Sequence, residues 1–179
     1  RSVSLARAQE LFASIPAGQR VLVDVAPDTR KLQACKAAGF DRFQIHFKLN
    51  ELPAGALQTW TNCLGAENLW LAPKLPPGTG FPTELLAYAD TLLLDAYAKE
   101  AFGGTGKTGN WEMFRECKTT HPDKNWILAG GLAPHNLQEA IRATGTEFVD
   151  LNSGFETTPG IKDTALVAAT LSHISHGTT

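Results

Sequence analysis

Short apolar runs and helical stripes alternate along the whole of this chain. Ser4 is a good N-cap, and Ala8, Leu11, Phe12 and Ile15 form a helical stripe that Pro16-Ala17-Gly18 ends. Val21-Leu22-Val23-Asp24-Val25 is a β-branched run with the length of a buried strand. Pro27-Asp28 opens the next helix, with Leu32, Cys35 and Ala38 on one face and Gly39 as its C-cap. Residues 43–47 read as a second strand, 52–63 as a weaker helix, and 68–72 as a third strand followed by a Pro/Gly-rich loop. A short helix at 81–88 precedes a fourth strand at 91–94. Helices are predicted over 111–118, over 134–143 with Pro134 in the first turn, and over 162–174. Strands are predicted at 126–129 and 147–151.

This alternation predicts a parallel sheet with right-handed crossovers. Six β/α units are visible. They suit a six-unit doubly wound sheet, or an eight-stranded barrel without its first two strands. No linker, repeat or low-complexity segment divides residues 1–179, so one domain is expected.

Composition narrows the function classes. Sixteen basic residues against 18 acidic ones leave a net charge of −2, with no basic patch for nucleic acid. No apolar run approaches the ~20 residues of a membrane-spanning helix, and no signal peptide is evident. Cys35, Cys63 and Cys117 are sparse and contain no CxxC, which fits a reducing cytoplasm better than a disulfide framework.

The stretch 91–108, Thr-Leu-Leu-Leu-Asp-Ala-Tyr-Ala-Lys-Glu-Ala-Phe-Gly-Gly-Thr-Gly-Lys-Thr, carries the first candidate chemistry. Three leucines hold Asp95 at the C-terminal rim of the sheet, where parallel α/β folds place their active sites. A carboxylate held there is a candidate acid. Gly106-Lys107-Thr108 looks like the end of a P-loop, but that pattern needs glycine at the position of Ala101. Gly103-Gly104-Thr105-Gly106 is read instead as a mobile loop that closes over a site.

Two further turns point to an anion. Leu128-Ala129-Gly130-Gly131-Leu132 and Asp150-Leu151-Asn152-Ser153-Gly154 each place glycine where a strand meets a helix. Exposed backbone N–H groups and a helix N-terminus there make a phosphate site in successive β/α units. Taken alone, each turn is equally a tight connection that uses glycine for packing. His46, beside Gln44 near a strand end, lines the site or is a packed histidine. Asp24 and Asp150 sit on or near strand ends as caps or site groups, with Asp150 favoured by its neighbours. The four tryptophans, Trp60, Trp70, Trp111 and Trp126, are read as packing residues.

With these motifs the chain resembles phosphoribosylanthranilate isomerase, a (β/α)8 TIM barrel of tryptophan biosynthesis. The resemblance rests on Leu92-Leu93-Leu94-Asp95 with its glycine loop, and on Gly130-Gly131-Leu132-Ala133-Pro134. It rests also on Val149-Asp150-Leu151-Asn152-Ser153-Gly154-Phe155-Glu156 and Pro159-Gly160-Ile161-Lys162-Asp163. Gln44-Ile45-His46 is similar to the family's Gln-Leu-His strand, and Arg1-Ser2-Val3-Ser4 to the Arg-x-x-Ser ahead of its second helix.

The resemblance implies an Amadori rearrangement of N-(5'-phosphoribosyl)anthranilate to 1-(o-carboxyphenylamino)-1-deoxyribulose 5-phosphate, without a cofactor or a metal. It makes Asp95 the acid at the ribose ring oxygen. It makes Gly130, Gly131, Ser153 and Gly154 the phosphate cradle, and Arg1 the contact to the anthranilate carboxylate. His46 and Asp150 match residues near the substrate. A cytoplasmic monomer or homodimer is implied, alone or fused to or associated with another enzyme of the pathway.

Three departures stand out. The family's base is a cysteine at the end of its first strand, in a Lys-Ile-Cys-Gly pattern that has no match here. All three cysteines fall in helical segments. The family's first strand, first helix and second strand are also unmatched. The expectation is that they belong to the protein outside this sequence, because a barrel opened by two strands would expose unpaired edges. Phe47 stands where the family carries glycine, which makes an unusual loop. Two rivals remain: a barrel enzyme acting on another sugar phosphate, and a degenerate phosphate-binding barrel without isomerase activity.

Overall fold

The computed structural model describes residues 3–76, 78–95 and 111–176. The chain forms two compact units, one of residues 1–93 with 122–125 and one of residues 94–121 with 126–179.

The first unit begins with helix α1 (Leu5–Phe12), capped by the Ser4 hydroxyl accepting from Arg7 N at 3.2 Å. It stops short of Ile15 because the Arg20 guanidinium captures the carbonyls beyond the last turn. Nε donates to Ile15 O at 3.1 Å and Nη2 to Phe12 O at 3.4 Å, while the guanidinium stacks 4.7 Å over the Phe12 ring. Strand β1 (Val21–Val25), helix α2 (Thr29–Ala38) and strand β2 (Arg42–Phe47) follow, then helix α3 (Ala56–Leu64) and strands β3 (Leu69–Pro73) and β4 (Thr91–Asp95). Asp28 caps α2 by accepting from Lys31 N, and Gly39 closes it in the left-handed region at φ 103°. The predicted helices at 52–63 and 81–88 are shorter: α3 starts at Ala56, and residues Thr83–Ala87 form a 3₁₀ helix.

Strands β1 to β4 pair in parallel and in chain order, in a register that aligns Val25 with His46 and His46 with Ala72. On β2, Phe43, Ile45 and Phe47 are buried. Phe47 packs edge-on against Trp60 of α3, with centroids 5.7 Å apart, and the Trp60 indole donates to Pro27 O. The residue that replaces glycine in the family pattern is therefore a core residue.

The sequence predicts β1 to be buried, and it is not. Val23 is 58% and Val25 72% exposed. Among the described residues of this unit β1 pairs along one edge only, with β2. Its residues 23 and 25 register with Gln44 and His46, on the face opposite Phe43 and Ile45. Asp24 of the other face pairs with Lys31 of α2 at 2.6 Å, and its Oδ1 accepts from Val25 N. It ties a strand to a helix.

In the second unit, helix α4 (Trp111–Thr120) buries Phe114 and Cys117. Phe114 lies edge-on to Trp126 of strand β5 (Asn125–Ala129), whose indole donates to His121 O at 3.1 Å. Helix α5 (Leu137–Thr144) leads to strand β6 (Phe148–Val149), which pairs in parallel with β5. β6 is shorter than the predicted 147–151. The Thr146 hydroxyl occupies both Phe148 O and Phe148 N at its start. At its end, Asp150 N still donates to Leu128 O, but the chain then turns into the 3₁₀ turn Ser153–Phe155.

A hairpin that periodicity did not predict follows, β7 (Glu156–Thr158) against β8 (Ile161–Lys162). It delays helix α6 to Thr164–His176, where the Asp163 carboxylate accepts from Leu166 N. Among the described residues, no helix is long and apolar enough to cross a membrane.

Candidate active site

Asp95 is the last residue of β4 and is exposed, after three leucines that are each at most 1% exposed. Burial of Leu92, Leu93 and Leu94 anchors the strand, so the carboxylate is presented from a rigid element. The glycine loop 103–106 lies outside the described residues, as does Arg1.

Both predicted glycine turns belong to the unit that holds Asp95. Gly130 and Gly131 follow β5 with φ of 88° and 60°, a backbone that residues with a Cβ adopt only under strain. Asn136 braces this turn. It is 6% exposed, its Oδ1 accepts from Ala133 N at 2.8 Å, and its Nδ2 donates to Gly131 O at 3.0 Å. The same turn explains why α5 starts at Leu137 and leaves Pro134 outside the helix.

The second turn abuts the first. A Cβ at Gly154 would lie 2.2 Å from Leu132 O and 2.8 Å from the Ala133 Cβ. Glycine at 154 therefore answers to close approach of two backbones. Ser153 is exposed at the head of this turn. Asp150, half-buried, follows β6, and its Oδ1 accepts from Asn152 Nδ2 at 3.4 Å. The structure thus brings Gly131, Leu132, Ala133, Ser153 and Gly154 into one neighbourhood, with Asp150 on its edge. Backbone N–H groups from two such turns, near the start of α5, are the elements of an anion cradle.

His46 belongs to the other unit, half-buried on β2, with Nε2 3.1 Å from Gln44 Nε2. The Gln44 amide nitrogen carries only donor protons, so the contact has it donating to His46 Nε2. The cysteines lie on helices: Cys35 on α2, Cys63 on α3 and Cys117 on α4. Burial raises the Cys35 thiol above its usual range and pushes Cys117 up to about 11, which disfavours the thiolate a base would need. Among the described residues, no group of three or more His, Cys, Asp and Glu is placed to hold a metal ion.

Sequence reasoning missed Asn136, Asn152 and Lys162. Asn136 had a signal, an Asn just ahead of a helical stripe. Lys162 had none beyond the family motif, because its partners lie up to eleven residues away.

The chain is similar to known proteins over most of its length. The family model described as N-(5'phosphoribosyl)anthranilate (PRA) isomerase matches residues 1–173. The N-(5'-phosphoribosyl)anthranilate isomerase of Hyphomonas neptunium is 36% identical over 179 residues, spanning 94% of this chain and 79% of that protein. The phosphoribosyl anthranilate isomerase structure from Thermococcus kodakaraensis superposes with a TM-score of 0.67 at 25% identity, covering 99% of this chain and 84% of that one. A crystal structure of phosphoribosyl anthranilate isomerase in complex with reduced 1-(o-carboxyphenylamino)-1-deoxyribulose 5-phosphate gives a TM-score of 0.68. At 21% identity, covering 97% of this chain and 80% of that one, it speaks for the fold, the (β/α)8 barrel class, of which six β/α units lie in this sequence. The chain belongs to the N-(5'-phosphoribosyl)anthranilate isomerase family.

Proposed function

We propose that Asp95 is the general acid of the family's isomerisation and that the turns at Gly130-Gly131 and Ser153-Gly154 hold the substrate's 5'-phosphate. The enzyme is an isomerase of tryptophan biosynthesis. The observation that carries the site reading is the abutment of the two turns at Gly154, with Asp95 in the same unit.

The chemistry needs little else. Asp95 gives its proton to the ribose ring oxygen, the C1'–O bond breaks, and the furanose opens to a protonated imine with the anthranilate nitrogen. Loss of the C2' proton to a base yields an enamine, which tautomerises to the amino-ketose. Atoms are conserved, and no electron leaves the substrate. A positioned acid contributes ~10²–10⁴-fold to such a step. Asp150 and His46 are assigned to the substrate's surroundings, and Arg1 to the anthranilate carboxylate. None of the cysteines in this sequence is assigned the base.

The reading extends to a phosphorylated small-molecule substrate, a cytoplasmic setting, and one barrel domain over residues 1–179. The family match along residues 1–173 supports that single domain. A monomer or homodimer, alone or joined to a second enzyme of the pathway, is the expected assembly. The test is turnover of freshly prepared phosphoribosylanthranilate, followed by loss of anthranilate fluorescence, with inorganic phosphate as competitor. Turnover that phosphate inhibits competitively is expected. A folded protein without turnover overturns the activity in this chain, and turnover indifferent to phosphate overturns the cradle.

A further inference from the structure

Lys162 stands on β8, outside every role assigned so far, yet its ammonium is aimed at the second glycine turn. Nζ lies 2.9 Å from Asn152 O, 3.2 Å from Asn152 Oδ1, 3.3 Å from Leu151 O and 3.2 Å from Glu156 Oε1. Three N–H donors therefore serve four acceptors on both sides of Ser153 and Gly154. Glu156 is held in turn, since its Oε2 accepts from Gly160 N in the β7–β8 turn at 2.9 Å. The hairpin thus anchors the lysine, and the lysine clamps the turn.

The Asn152 side chain extends this link. Its Oδ1 faces the ammonium, so its Nδ2 faces the Asp150 carboxylate at 3.4 Å. The orientation is the one chemistry demands, acceptor toward cation and donor toward anion. A run of contacts therefore joins Lys162 through Asn152 to Asp150, and spans the residues that carry the cradle's second half.

We propose that Lys162 is a positioning residue that, with Asn152, holds the 150–156 turn in the conformation that receives the substrate phosphate. The proposal rests on the cradle reading above. It requires no contact between the ammonium and the ligand. The three protons of the ammonium are spent on the turn itself, and preorganised backbone N–H groups bind an anion without reordering cost.

Three variants test it: Lys162→Met, Lys162→Arg and Asn152→Ala. The measured quantities are KM, kcat and the inhibition constant of inorganic phosphate. Expected for Lys162→Met is a rise of about 10-fold or more in KM and in the phosphate constant together, with kcat within about threefold, as for lost binding contacts. Lys162→Arg should recover part of the loss. Asn152→Ala leaves the charge in place and should still weaken phosphate about 3–10-fold, the worth of roughly one hydrogen bond.

Unchanged constants in Lys162→Met overturn the proposal. A loss in Lys162→Met with none in Asn152→Ala, erased by 0.5 M salt at about the 4 Å screening scale, also overturns it, since the ammonium would then act by charge alone. If Lys162→Met fails to fold, Asn152→Ala decides by the same readings. Absence of phosphate competition in the unaltered protein is a separate outcome, which overturns the cradle reading and this inference with it.

Discussion

The contact at Gly154 gives the sharpest prediction, Gly154→Ala. The position has no left-handed backbone, so alanine meets no conformational penalty there and the perturbation is purely steric. The added methyl would lie 2.2 Å from Leu132 O, 2.8 Å from the Ala133 Cβ and 3.0 Å from the Ala133 Cα. The first two are backbone or backbone-attached atoms and cannot rotate away. To reach ordinary contact, the two turns must separate by about 1 Å. A charge-assisted hydrogen bond stretched by that much is largely lost, at about 1.5–3 kcal/mol each. Losing one donor from the cradle predicts a rise of roughly 10–100-fold in KM, and the same factor in the inhibition constant of inorganic phosphate. Turnover at saturation should change little, because Asp95 stands on another strand. Overpacking should also lower stability by about 1–3 kcal/mol, seen as a fall in melting temperature. A Gly154→Ala protein with unaltered KM and phosphate constant would refute the reasoning, because the turns would then be packing elements without a ligand.

Other expectations concern the acid, the first turn and the thiols. Asp95→Asn should reduce kcat by ~10²–10⁴-fold with KM nearly constant, and near-normal turnover would remove Asp95 from the mechanism. Asn136→Ala removes two hydrogen bonds at a buried site and leaves Ala133 N and Gly131 O to find other partners, so chemical denaturation should show a loss of about 1–3 kcal/mol. With an intact denaturation midpoint, Asn136 would not be the brace of that turn. Cys117, raised to about 11, should resist a thiol reagent at pH 8 in the folded protein, and so should buried Cys35, while the partly exposed Cys63 reacts first. Because the folded pKa of Cys117 lies above its unfolded value, its contribution is complete below about pH 9 and declines as pH rises toward 11. Cys117→Ser should flatten that part of the stability–pH curve, and an unchanged slope would assign it to other groups.

The local order of elements was legible in the sequence because it depends on neighbours in the chain. Ser4, Asp28 and Gly39 cap their helices where a short-range reading places them, and Leu92, Leu93 and Leu94 lead to Asp95 at a strand end. The turn at Gly130-Gly131, too, announces itself, since a backbone at positive φ calls for glycine by itself. The β-branched run at β1 misled, because a strand's burial depends on what pairs with each edge, and Val23 and Val25 carry no mark of that. The short β6 and the late start of α6 were hidden for the same kind of reason. Thr146, Asp163 and the β7–β8 hairpin settle them through hydrogen bonds that periodicity does not encode.

Only the tertiary structure decided that Gly154 touches Leu132 and Ala133, more than twenty residues earlier in the chain, and that Lys162 reaches back to Leu151 and Asn152. Composition and spacing proposed two anion-binding turns. Folding made them neighbours, because close backbone approach and multivalent lysine contacts are properties of distances in space, which a one-dimensional pattern does not contain.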